Sequence, residues 1–159
     1  MASDLTFHLT GGASNSDPDD SLGGVGSSEV LSATALNNLF DNVNPDEVLT
    51  GDLLEYRAID IVNDGDAEAH HVQFFLTDTP NVESEIHIWY DATGTQSIAN
   101  ETTPPVGSDG NWTQPLVGSK QSFSDLAAAG TYRIWVRRTV DQNADNINED
   151  TATLHVWFS

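Results

Sequence analysis

Cysteine is absent from the chain. That excludes thiol catalysis, zinc–thiolate sites and disulfides, and it leaves the fold to its hydrophobic core. Bases are nearly as scarce: five Lys and Arg stand against 25 Asp and Glu, a formal charge of −20. A surface of that sign repels phosphates, so no nucleic acid is expected as a partner. Long apolar runs are missing too. No segment approaches the ~20 apolar residues of a membrane span, and "MASDLTFHLTGG" has neither the cationic start nor the apolar run of a signal peptide. Neither a membrane partner nor export by that route is therefore expected. Gly-x-Ser-x-Gly, a phosphate-binding glycine loop and His-Glu-x-x-His do not occur. Acid pairs are too frequent for any one of them to mark a catalytic dyad. The expectation is a protein that is not an enzyme and holds no cofactor and no metal.

The acid excess fits life in high salt, where a Debye length of about 3 Å at 1 M screens self-repulsion; multivalent cation binding is the alternative. Disorder is disfavoured, because 38% of residues are apolar and four are Trp. At 159 residues the chain is one domain, or one domain with an arm.

"DLTFHLT" alternates as a short strand, and "GGASNSDPDDSLGGVGSS" (11–28) reads as an extended arm with little to bury. "ATALNNLF" predicts one short helix at about 34–41, with Ser32 or Thr34 as N-cap. From Leu53 onward the signal is β. "LLEYRAIDIVN", "AHHVQFFLT", "SEIHIWYD", "TYRIWVRRTV" and "TATLHVWF" are strands, with a long Gly/Pro/Thr loop over 94–120. Short strands separated by turns predict an all-β fold, an antiparallel immunoglobulin-like β-sandwich over 31–159 behind an N-terminal strand and arm over 1–30. "DLAAAGTYRIWV" looks like a tyrosine corner, with Tyr132 opening the penultimate strand.

Alternation also raises an anomaly. If Tyr132, Ile134 and Val136 face the core, then Arg133, Trp135 and Arg137 face outward. His87 and Trp89 in "IHIW", and His155 and Trp157 in "LHVW", do the same. If the last two strands neighbour each other, as in immunoglobulin-like sandwiches, Trp89, Trp135 and Trp157 share one outer face with Arg133, Arg137 and His155. Three exposed Trp exceed the apolar patch that a soluble monomer usually tolerates. The face is therefore covered, either by the arm or helix of the same chain or by another subunit. Trp beside Arg is the composition of interface hot spots. The acids of "DPDD" (Asp17, Asp19, Asp20) could cross the Arg face of their own domain or of a neighbour.

Metal signals are weak. His70 and His71 are adjacent and point to opposite faces of a strand. Asp141, Asn143 and Asp145 begin like a calcium loop, but Asn146 and Ala152 stand where glycine and glutamate belong. Asn100 and Asn111 head glycosylation tripeptides of a kind common by chance.

"LTGGASNSDPDDSLGGVGSS", "IANETTPPVG" and "IWVRRTV" with the Asn/Asp turn after it resemble segments of structural proteins of tailed viruses, bacteriophage members being less acidic versions of the same layout. The resemblance covers roughly residues 5–40 and 98–150 and includes no catalytic motif; residues 52–96 resemble nothing specific. It implies a virion component, and the acidic bias implies a haloarchaeal host. The resulting expectation is a capsid decoration or cement protein on the capsid surface, assembled in the host cytoplasm. Its partners would be the major capsid protein and identical subunits in a homotrimer, met through the arm and the Trp/Arg face. A tail, neck or baseplate protein is the alternative, and a surface carbohydrate-binding module a more distant one.

Overall fold

Eight strands realise this pattern in the computed structural model, which describes residues 2–32, 38–77, 84–144 and 151–159. They are β1 (Leu5–Thr10), β2 (Gly26–Val30), β3 (Leu53–Asn63), β4 (Gln73–Thr77), β5 (Ser84–Asp91), β6 (Gln121–Ser122), β7 (Thr131–Val140) and β8 (Thr153–Trp157). They form two antiparallel sheets, a larger one in the order β2-β1-β3-β7-β5 and a smaller one in the order β6-β4-β8. The fold is all-β, and the two open sheets are those of a β-sandwich.

Period-two alternation sets the core. Ile59, Ile61, Ile88, Tyr132, Ile134 and Val136 of the larger sheet meet Val72 and Phe74 beside the smaller one, and Leu154, Val156 and Phe158 pack against them. A fully buried side chain of this size contributes about 1.5–3 kcal/mol. The Tyr132 hydroxyl donates to the carbonyl of Ser124 and lies 3.2 Å from that of Asp125, pinning the turn before β7.

Two expectations need correction. The last two strands are not neighbours: β8 pairs with β4 in the smaller sheet. Both edges of β7 are already taken, by β3 along Leu53–Val62 and by β5 along Ser84–Asp91, so no edge remains for β8. No α-helix occurs among the described residues. The helix expected at about 34–41 lies partly outside them, and its described part, 38–41, is not helical.

The segment read as an arm is folded onto the larger sheet. β1 pairs β3 only from Asp60 to Asn63. Below that point the free edge of β3 would show unpaired amides, which is costly when buried. Two loops close it: the Ala58 amide donates to the Ser21 carbonyl (2.7 Å) and the Tyr56 amide to the Glu101 carbonyl (2.8 Å). Ser21, fully buried, accepts the Thr10 amide and donates its hydroxyl to the Ala58 carbonyl (2.6 Å).

Candidate interaction surface

The outer face of the larger sheet is where the sequence gathers Trp with Arg. Trp89 and Trp135 are directly paired there, across β5 and β7. Trp157 is not with them, because β8 belongs to the other sheet. Their actual companions are Tyr56, Ala58, Ile98 and Trp112. Trp112 comes from the long loop, its ring 5.6 Å from Tyr56 and 6.3 Å from Trp89.

This face is covered by its own chain. Trp135 is 0% exposed and Arg133 4%. Gly23 lies against the indole at φ +85°, where a Cβ would stand 2.8 Å from Trp135 Cζ2 and 2.1 Å from the Gln96 carbonyl oxygen. Only glycine fits that close approach. The Gly24 amide donates to the Gln96 carbonyl (2.8 Å) and the Ile98 amide to the Leu22 carbonyl (3.0 Å), tying the two covering segments together. Trp135 and Arg133 therefore cannot touch a partner in this structure.

The arginines are spent on holding the chain together. Arg133 grips Asp60 through Nε and Nη2 and donates to the Gly24 carbonyl (2.9 Å). Arg137 is half-buried, its guanidinium 5.0 Å from the centre of the Trp112 ring. His87, its cross-strand neighbour, has its pKa lowered by burial and by the Arg137 charge. On the opposite face, Arg57 is 0% exposed and donates to Asp19 (3.1 Å) and Glu101 (2.5 Å). Arg138 pairs with Glu55 and donates to the Asp41 carbonyl (2.6 Å). Burial raises the Glu55 pKa although Arg138 pulls it back. Phe40 lies between these two guanidinium groups, 5.5 Å from that of Arg57 and 4.8 Å from that of Arg138.

The acids of "DPDD" thus meet an arginine of their own chain, but it is Arg57 and not the Trp/Arg face. Asp19 makes the contact, Asp17 caps the 3-10 turn Pro18–Asp20 by accepting the Asp19 amide, and Asp20 stays exposed. Sequence reading missed Arg57 and Arg138, because positions next to apolar residues on a long strand gave no sign of an ion-pair role.

The outer face of the smaller sheet is different. With Phe74, Leu76, Leu154, Val156 and Phe123 turned to or against the core, the outward positions are Gln73, Phe75, Thr77, Ser122, Thr153, His155 and Trp157. Phe75 and His155 are directly paired and stack, centroids 4.9 Å apart and planes 10° apart. His155 Nε2 is 2.7 Å from the Thr77 hydroxyl. Trp157 is 48% exposed. Lys120, the only lysine, sits 4.9 Å from the centre of the Phe75 ring and 5.8 Å from that of Trp157, with no carboxylate in ion-pair reach among the described residues. None of the outward residues is Asp or Glu, in a chain with 25 of them.

At the end of this sheet Glu68, His70 and Asp125 bring three donor atoms within 4.8 Å of one another, all exposed. His70 Nδ1 is 2.7 Å from Asp125. That hydrogen bond raises the His70 pKa and lowers that of Asp125, the behaviour of a surface ion pair. Of the calcium-like turn, the Asn143 amide donates to Asp141 (2.7 Å), and Asp145 lies outside the described residues.

No family model, no curated protein and no solved structure matches the chain.

Proposed function

We propose that the protein is a non-enzymatic structural component of a virus particle, a capsid decoration or cement protein of a tailed virus with a halophilic archaeal host. It would bind the major capsid protein and identical subunits. The observation that carries this reading is the outer face of the smaller sheet: stacked aromatics and a lone lysine, with no carboxylate among the described outward residues, on a chain of formal charge −20. Acids keep halophilic surfaces hydrated and apart, so a face without them is a face meant for contact. The resemblance of three segments to tailed-virus structural proteins supports the same reading. The contact surface proposed from Trp135 and Arg133 moves, with Trp157 retained, to this second face.

The sandwich itself is read as immunoglobulin-like. The Tyr132 hydroxyl bond to the turn before β7 supports this, as in a tyrosine corner. The separation of β7 and β8 into different sheets is its departure from that pattern.

The test is quantitative mass spectrometry of purified particles. Hundreds of copies per particle fit the decoration role; three to a dozen would move the protein to the tail, neck or baseplate. Absence from particles would sink both.

A further inference from the structure

All four arginines are turned to their own chain, by carboxylates for Arg57, Arg133 and Arg138 and by Trp112 for Arg137. Of the Lys and Arg residues, Lys120 alone is exposed with no carboxylate in reach among the described residues, and it stands over Phe75 and Trp157. Phe75 and His155 stack side by side and are part-buried, whereas Trp157 is 48% exposed. Among the described residues the face carries one positive charge and no carboxylate, on a chain of formal charge −20.

We infer that this face takes the acidic flank of a second copy of the same chain, in a head-to-tail contact centred on Phe75, Lys120, His155 and Trp157. The inference rests on the assembly reading above and names its contact. Complementarity selects the occupant: with 25 acids, a copy offers carboxylates on its other surfaces, to which Lys120 can donate. Two copies joined face to face would instead set Lys120 near Lys120, so a two-fold contact is disfavoured. A contact between unlike surfaces closes into rings or runs into chains, which suits a homotrimer or a lattice.

Size argues the same way. Two strands of five residues and one of two, spaced ~4.8 Å with a ~3.3 Å rise, present about 190 Å². A stable dimer needs about 800 Å² per partner. Leu116, 40% exposed, is bridged to the core-facing Leu76 and shares its side of the sheet, so it does not enlarge the patch. A single contact is therefore weak, and many of them on one particle act together. A sugar is a poorer occupant. It stacks on free ring faces, and the faces of Phe75 are taken by His155 and Lys120.

Sedimentation velocity of the full chain over a hundredfold concentration range, in molar potassium chloride and in dilute buffer, tests the inference. Screening of the net charge strengthens association in the salt, where contact-range pairs survive. The expected result is a mass that rises with concentration above the monomer in molar salt. Lys120→Glu and Trp157→Ala should each weaken association about tenfold or more, with far-UV circular dichroism unchanged and melting lowered by no more than a few degrees. A wild-type chain that stays monomeric throughout, or a Lys120→Glu chain that associates as the wild type does, overturns the inference. Particle composition separates this from the broader reading. A monomeric chain present in hundreds of copies per particle would end the self-contact and keep the assembly role. A self-associating chain missing from particles would do the reverse.

Discussion

The two outer faces of the sandwich carry similar residues to opposite ends. On the larger sheet, Trp89, Trp135, Arg133 and Arg137 lie under two loops, one from residues 21–24 and one from 96–112, and an ion pair with Asp60 is sealed below them. On the smaller sheet, Phe75 and Trp157 have Lys120 for a partner, Phe75 and His155 are part-buried, and Trp157 is 48% exposed. Aromatic residues beside a base are thus no sign of an interface by themselves. What separates the faces is where the carboxylates went. The larger sheet receives Asp60 within its face, whereas the strands of the smaller sheet carry none among the described residues.

The largest expected difference comes from breaking the sealed pair. Asp60→Asn leaves Arg133 charged and without its carboxylate at 4% exposure, a loss of about 3–5 kcal/mol of unfolding free energy in urea titration. A loss below 1 kcal/mol would mean that the larger face is open to water. Trp135→Ala should cost a similar ~3–5 kcal/mol, as a fully buried aromatic. Gly23→Ala comes next. It forces a Cβ into the Gln96 carbonyl at a left-handed backbone angle, and a melting temperature lowered by several degrees, from ~1–3 kcal/mol, is expected.

A smaller effect is read by pH. The folded His87 pKa lies below 6.5, so between 6.5 and the folded value the unfolded chain binds a proton that the fold refuses. Stability from this group is full above 6.5 and is lost as the pH falls through that window. His70, with a raised pKa, has the opposite slope: its contribution is full below 6.5 and fades as the pH rises through the folded value. Histidine NMR should find His87 titrating below 6.5 and His70 above it; the reverse order would contradict the buried environment of the larger face. The smallest stability change belongs to Trp157→Ala on the bare face, under about 1 kcal/mol, since half of the ring is already in water.

Much of this was legible in the strand sequences. Alternation in "TYRIWVRRTV" correctly places Tyr132, Ile134 and Val136 in the core and Arg133 and Trp135 on the other side. It could not say which strands share a sheet, because that depends on which edges are free. With β7 held on both sides, the last strand went elsewhere and took Trp157 along. Trp112 was invisible as a packing residue, since "GSDGNWTQP" has no periodicity to mark an inward side chain. The carboxylate-free positions of "QFFLT" and "TLHVW" are in plain view in the sequence. They acquire meaning only once β4 and β8 lie side by side.

The manner in which Ser21 and Glu101 close the open flank of β3 bears on how the protein can be cut. Trimming the first thirty residues would strip β1, β2 and the Ser21 staple together, leaving the middle strand of the larger sheet with a raw hydrogen-bonding edge. Such a shortened chain would clump rather than lose one docking function, so its failure to join a particle would say nothing about attachment. Point changes at Lys120 or Trp157 leave that seam intact.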